Sequence, residues 1–215
     1  MNINELLENL RVNYRNASLD LPDCNPVPEL QFDHWFENTI KSKCDEPNAF
    51  VLSTVSNNKP HARVVLLKGI HRGEFVFYSN YSSSKGEEIK QNSNVAMTFL
   101  WLPLQRQVRI EGTVKQIPDI YSDDYFHKRP RGNQIGAIAS PQSQKVSSRA
   151  ELESLFHQAE VDNADKAELT RPTNWGGYGI TPNRFEFWQG RANRMHDRIV
   201  YEKISGEWKL SRLAP

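Results

Sequence analysis

Apolar positions along this chain change their period near residue 49. Before it they recur at helical spacing, with Leu6, Leu7 and Leu10 on one short face and Phe32, Trp35, Phe36 and Ile40 on another. The stretch 20–28 between them holds three prolines and predicts a connecting segment. From Ala49 the pattern is β-rich, in runs at 50–55, 62–70, 74–79, 95–101 and 105–116. Turns such as Asn57-Asn58-Lys59-Pro60 separate them.

The middle of the chain returns to helical patterning. Ser84-x-x-Glu87 and Ser148-x-x-Glu151 are capping-box signals, and Leu152, Leu155, Phe156 and Ala159 make an amphipathic stripe after the second. Strand-like runs at 175–180, 184–189, 196–203 and 208–213 follow, with Ser205-Gly206 as a hairpin turn. The pattern predicts a mainly β protein with peripheral helices (α+β), its strands closed into an antiparallel barrel. A helical segment over 1–48 would precede a barrel over 49–215, in one structural domain.

Composition narrows the function classes. With 215 residues, 38% hydrophobic and a formal charge of +1, the chain has no global field for nucleic acid or an anionic membrane. Mean hydropathy is −0.67, and no apolar stretch approaches the roughly 18 residues a membrane helix needs. The start, Met1-Asn2-Ile3-Asn4-Glu5, lacks a signal-peptide pattern. Cys24 and Cys44 show no CxxC spacing and read as reduced thiols. The expectation is a cytoplasmic protein.

Several runs carry anion-binding chemistry. If residues 194–198 are extended, Arg194, His196 and Arg198 project from one face. Two cations and an imidazole suit an anionic, ring-bearing ligand better than a core, with a solvated edge strand as the alternative. Arg63 and Lys68 are five apart, so on a strand they point to opposite faces. Ser82-Ser83-Ser84-Lys85 opens a predicted helix, where free N–H groups, hydroxyls and an ammonium favour phosphate; a plain capped helix is the other reading. Tyr125 and Arg129 share a helical face that Pro130 ends, a pairing suited to a phosphate monoester or to plain surface packing. Glu87-Glu88 and Asp123-Asp124 read as solvated helix positions. The six histidines show no metal-ligand spacing, and there is neither GxGxxG nor a P-loop.

Six runs in order resemble the landmarks of the pyridoxine/pyridoxamine 5′-phosphate oxidases. They are Arg63-Val64-Val65-Leu66-Leu67-Lys68, Phe77-Tyr78-Ser79-Asn80, Gln105-Arg106-Gln107-Val108, Tyr125-Phe126-His127-Lys128-Arg129-Pro130, Gln134-Ile135-Gly136-Ala137 and Phe185-Glu186-Phe187-Trp188-Gln189-Gly190. With 194–198 and the terminal Arg212-Leu213-Ala214-Pro215, the resemblance runs from Arg11 to the end. It implies an FMN-binding split β-barrel, a homodimer with composite sites. It also implies oxidation of pyridoxamine 5′-phosphate and pyridoxine 5′-phosphate to pyridoxal 5′-phosphate. O2 would be the electron acceptor, H2O2 a product, and ammonia would come from the amine.

The resemblance also implies roles. Arg63 would hold the FMN phosphate and Val64, Val65, Leu66, Leu67 and Lys68 would continue the cofactor site, Lys68 also receiving the substrate phosphate. Tyr78, Ser79, Ser84, Lys85, Gln107, Trp188 and Arg198 would contact FMN, and Gln142 and Ser143 would reach the cofactor of the other subunit. Tyr125, Arg129 and Asn133 would join Lys68 at the substrate phosphate, Arg11 and Tyr14 would cover the substrate, and Arg194 and His196 would be the catalytic pair at its ring. Two positions depart from the family's habit: Ser84 stands where arginine is frequent, and Asn133 where serine is common. Another flavin substrate, or a carrier that binds FMN or pyridoxal phosphate without turnover, is the alternative reading.

Overall fold

The computed structural model describes residues 3, 4, 7, 13, 14 and 17–215. Helix α1 (Pro28–Lys41) opens on a proline, whose missing N–H costs nothing there, and buries Phe32 and Trp35. Ile40, expected on the same face, is 54% exposed. At about 100° per residue it lies roughly 80° round the helix from Phe32 and 140° from Trp35.

Strands β1 (Ala49–Ser56), β2 (Lys59–Leu66), β3 (Gly69–His71) and β4 (Glu74–Asn80) follow, then α2 (Ser84–Gln91), β5 (Asn94–Trp101) and β6 (Arg106–Gln116). Helices α3 (Asp119–Lys128), α4 (Arg131–Ala139) and α5 (Arg149–Asp162) form the middle, and β7 (Trp175–Gln189), β8 (Asp197–Ile204) and β9 (Glu207–Arg212) end the chain. Alternation is visible directly: Phe50, Leu52, Thr54 and Ser56 are the buried side of β1, and Val95, Met97, Phe99 and Trp101 that of β5. The β1–β2 turn takes Asn57 and Asn58 at φ of 50° and 56°, and the β8–β9 turn takes Ser205 and Gly206 at 51° and 89°. These are the left-handed values that two-residue hairpins require.

Two strand boundaries differ from expectation. The run 62–70 is broken between β2 and β3, and the runs at 175–180 and 184–189 are one strand of 15 residues. Residues 175–180 of β7 pair with β4, and 184–189 pair with β8. Pro182 falls between the two ladders, where its lack of an N–H breaks neither.

The strands are hydrogen-bonded in the order β2-β1-β5-β6-β7-β4-β3, with β8 on β7 and β9 on β8. The result is an antiparallel, mainly β architecture with five helices among the described residues. β2 also contacts β4, and the Lys68 N–H just past β2 donates to the Val76 carbonyl at 2.8 Å. The two ends of the strand path therefore approach one another. No described helix is long and apolar enough to cross a membrane.

The chain forms two compact units, discontinuous in sequence. The first comprises Met1–Phe50, Met97–Glu111 and Asn183–Pro215, the second Val51–Ala96 and Gly112–Pro182. Aromatic rings dominate the first core: Phe32 meets Phe99 at 5.1 Å, Trp35 meets Phe187 at 5.2 Å, and Phe187 meets Tyr201 at 5.5 Å. In the second, Phe126, Ile135, Ala159, Leu169 and Trp175 pack as one cluster.

Gly86 sets how closely α2 approaches its own entry loop. A Cβ at that position would lie 2.0 Å from the Tyr81 carbonyl oxygen, a backbone atom that cannot rotate away. Gly86→Ala should therefore displace the start of α2 and cost on the order of 1–3 kcal/mol or more. Thermal denaturation would show it as a lowered midpoint; an unchanged midpoint would mean that the loop yields without strain.

Candidate functional site

In the second unit, a cluster of cations and hydroxyls forms where β1, β2 and β4 meet α2. The inward side of β1 turns polar at Thr54 and Ser56, which meet Glu88 and Gln91 of α2. Arg63 of β2 donates to Thr54 Oγ1 at 2.6 Å, to Glu88 Oε2 at 2.5 Å and to the Leu52 carbonyl at 3.4 Å. Lys85 is 9% exposed, and its Nζ donates to the hydroxyls of Ser79 at 3.1 Å and Ser83 at 3.2 Å. Burial first, and the Arg63 charge second, hold the Lys85 ammonium below its ordinary pKa, while Glu88 acts in the opposite sense. The N-cap of α2 is Ser83, not Ser84 as the capping-box spacing suggested; Ser84 is the first helical residue and exposed. Ser83 wins because its hydroxyl accepts from the Gly86 N–H, leaving Ser84 facing water.

Gln142 joins this cluster within the same chain: its side-chain carbonyl accepts from Ser79 Oγ and from the Asn80 N–H, both at 3.2 Å. Ser143 follows in an exposed turn at φ 71°. Along the rest of the 63–68 run, Val64 is 65% exposed, Val65 and Leu66 half-buried, Leu67 buried and Lys68 exposed.

A second cationic group stands beside the first. Tyr78 stacks on Tyr125 at 3.8 Å and on Trp175 at 5.6 Å, and burial pushes the Tyr78 phenol up to about 12. Arg129, just past the end of α3, lays its guanidinium over Trp175 at 4.6 Å. Tyr125 and Arg129 thus face the same indole, although only Tyr125 is helical. The Arg129 Nη1 is buried with no hydrogen-bond partner among the described residues, and burial lowers the guanidinium's pKa. A cleft of about 420 Å³ opens here, lined among others by Asn80, Arg129, Asn133, Ser140, Gln142 and Trp175.

The first unit holds the remaining candidates. Trp188 of β7 lies 4.6 Å from His196 and 5.7 Å from Tyr14, and Tyr14 lies 5.6 Å from His196. A Cβ on Gly190 would come within 2.8 Å of the Tyr14 ring, so glycine permits this packing. The one-face arrangement of Arg194, His196 and Arg198 is not what forms. Residues 192–194 are a 3₁₀ turn, Asn193 and Arg194 sit at φ of 56° and 60°, and β8 begins only at Asp197. Two successive left-handed residues destroy the alternation on which a shared face depends. The Arg191 N–H donates to His196 Nδ1 at 3.1 Å, which fixes that nitrogen as an acceptor. Burial, then the Arg194 charge, hold the imidazole below its ordinary pKa, with Asp197 opposing.

Arg198 is anchored on protein. Its Nε donates to Glu186 at 2.8 Å and its Nη1 to the Ala214 carbonyl at 2.9 Å. Arg109 and Arg184 converge on the other oxygen of Glu186, at 3.4 and 3.3 Å. Burial alone would raise the Glu186 pKa, but the arginines outweigh it, led by the Arg198 hydrogen bond, and hold it below its ordinary value. Gln107 is half-buried on β6. Arg11 lies outside the described residues, as do Leu6 and Leu10.

Residues 36–163 match the family model for pyridoxamine 5′-phosphate oxidase, and 175–215 match that for the pyridoxine 5′-phosphate oxidase C-terminal dimerisation region. The chain belongs to the pyridoxine/pyridoxamine 5′-phosphate oxidase family. It is therefore an enzyme of that oxidase family. A member from Salinibacter ruber is 48% identical over 212 residues, covering 97% of this chain and 99% of its own. One from Leptospira interrogans is 47% identical over 211 residues, with 97% and 98% covered. Among solved structures, PhzG from Burkholderia lata superposes with a TM-score of 0.86 at 23% identity, covering 94% of this chain and all (100%) of PhzG. A family-related FMN-binding protein from Nostoc punctiforme gives 0.70 at 13% identity, covering 89% and 100%. At those identities the likeness speaks to the fold alone.

Three residues of these clusters escaped sequence reasoning. Glu88 is 8% exposed rather than solvated, while its neighbour Glu87 is exposed. The buried residues of α2 are Lys85, Gly86, Glu88 and Ile89, a helical stripe that includes both charges. That spacing was the available signal. Glu186 lay inside a recognised run but in a row of aromatic residues, and Trp175 read only as a strand start.

Proposed function

We propose that this chain oxidises pyridoxamine 5′-phosphate and pyridoxine 5′-phosphate to pyridoxal 5′-phosphate. FMN would be the cofactor, O2 the electron acceptor and H2O2 a product, with ammonia from the amine. The observation that carries the reading is a buried cation and a half-buried one in one unit, each without a carboxylate partner among the described residues. Among the described residues the Lys85 ammonium hydrogen-bonds hydroxyls only, and Arg129 keeps an unpartnered Nη1. Gln142 contacts the first cluster and lines the cleft of the second. Two cations that no described carboxylate pairs with suit two phosphates, one on the cofactor and one on the substrate.

Lys85 and Arg63, with the Ser79 hydroxyl, would hold the FMN phosphate, and bound FMN would supply the two-electron acceptor. Val64, Val65, Leu66, Leu67, Tyr78, Ser84, Gln107, Ser143, Trp188 and Arg198 remain proposed cofactor contacts. Lys68, Tyr125, Arg129 and Asn133 would take the substrate phosphate, and Arg194 and His196 its ring. His196 would act as a neutral donor through Nε2, because Nδ1 already accepts from the Arg191 N–H. Its role would be to orient the ring rather than to remove a proton. Tyr14 and Arg11 would cover the bound substrate and exclude water. The match to a dimerisation region supports a homodimer, with sites shared between subunits.

The test is an anaerobic mix of the purified protein, loaded with FMN, and pyridoxamine 5′-phosphate. Flavin absorbance should bleach and return on admitting air, with peroxide formed. Tight FMN binding without bleaching would make the chain a carrier instead.

A further inference from the structure

Glu88 occupies a place in the Arg63 cluster that an anion site would not obviously contain. Its Oε2 accepts from Arg63 and, at 2.6 Å, from Thr54 Oγ1, while Arg63 also donates to Thr54. The three side chains close a ring. His61 Nδ1 lies 3.7 Å from the other carboxylate oxygen. The contacts to Leu52, Thr54 and Glu88 account for three of the five guanidinium N–H groups, so Arg63 still has donors for an arriving anion. Its charge, however, is already matched. Lys85, three residues earlier on the same helix, is not matched in this way.

We propose that Glu88 is an internal counter-anion to Arg63 that competes with the flavin phosphate and so sets how tightly this site holds FMN. The inference rests on the assignment of Arg63 and Lys85 to the FMN phosphate. In the free chain the carboxylate offsets the half-buried Arg63 and the buried Lys85, whose charges repel each other. When a phosphate dianion arrives, it shares Arg63 with Glu88 and meets a like charge where water screens little. Both effects have one sign: Glu88 stabilises the free chain more than the loaded one. By linkage, removing its charge strengthens binding. A carboxylate that merely aimed Arg63 would give the opposite result, since its loss would misplace a phosphate ligand.

The experiment titrates FMN into flavin-stripped protein, read by quenching of flavin fluorescence, for wild type, Glu88→Gln and Glu88→Asp. Glu88→Gln keeps the shape and the acceptor oxygen without the charge, and its Kd should fall by roughly threefold to tenfold. Glu88→Asp keeps the charge and should lie nearer wild type. Inorganic phosphate, added without FMN, should raise the melting midpoint of Glu88→Gln more than that of wild type. Unchanged or weaker FMN affinity in Glu88→Gln overturns the inference while leaving the FMN assignment standing. Wild type that takes up no FMN, with the phosphate difference still present, would sink the assignment and keep the counter-anion. If Glu88→Gln folds only with FMN present, the rate of FMN loss on dilution replaces the titration. That rate should be slower than wild type; an equal or faster one overturns the proposal.

Discussion

Arg129→Ala should lower kcat/KM for pyridoxamine 5′-phosphate by roughly tenfold to a hundredfold, the worth of one charge-assisted phosphate contact. The guanidinium stands over Trp175 with its buried Nη1 unpartnered, beside the cleft that Asn133 and Gln142 also line. An unsatisfied buried donor is costly in the free chain, and a phosphate oxygen is the partner that relieves it. FMN retention should change little, because the flavin phosphate is assigned to Lys85 and Arg63. Arg129→Lys should recover only part of the loss, since an ammonium cannot both stack on the indole and present a planar fork. The decisive comparison is unphosphorylated pyridoxamine, whose slow turnover the substitution should leave unchanged. Equal losses for both substrates would place Arg129 somewhere other than the phosphate.

The second large effect concerns stability. Glu186→Gln removes the negative charge that Arg109, Arg184 and Arg198 share, in a side chain only 2% exposed, and leaves Arg109 and Arg184 with Glu111. Breaking a buried ion pair from one side costs about 3–5 kcal/mol, and the partly exposed arginines favour the lower end of that range. For a chain of this size that is a fall in melting midpoint of roughly 6–20 °C. The pH dependence has a definite sign. The folded-state pKa of Glu186 lies below its ordinary value of 4.5. Its contribution is therefore complete above the ordinary value and is lost as pH falls through the lower, folded-state value. The gap between wild type and Glu186→Gln should accordingly be full at pH 7 and narrow in strong acid. Melting curves that coincide at pH 7 would show that Glu111, which Arg109 and Arg184 already share, suffices to hold the arginines. Arg198 is also a proposed flavin contact, so the same variant tests whether Glu186 holds it in place: its FMN affinity should fall along with its stability.

Much of the architecture is written in local pattern. β-rich runs located β1 and β5, because β-branched and aromatic residues between turn signals favour the extended chain. Asn57-Asn58 and Ser205-Gly206 marked their hairpins because few residues accept positive φ. Ser148 caps α5 as its spacing implied, accepting from the Glu151 N–H at 3.1 Å. At the site, the order of short runs identified the family and the residue types suited to anions.

What the sequence by itself determined was the period of each element, the turns and the family. Which side chains meet was decided only by the tertiary structure. Arg194, His196 and Arg198 alternate in sequence, yet the 3₁₀ turn and two left-handed residues separate them. Asn193 hinted at that turn, but an arginine in the left-handed region has no propensity to announce it. Glu88 is buried against Arg63, 25 residues away, and Glu186 against Arg109, 77 residues away on another strand, as well as against the nearer Arg184 and Arg198. Burying a charge is unfavourable unless an opposite charge arrives at the same point, and only the folded chain brings one there. Composition and spacing describe a residue's neighbours along the chain. The electrostatics of each cluster come from neighbours across the fold of its own unit.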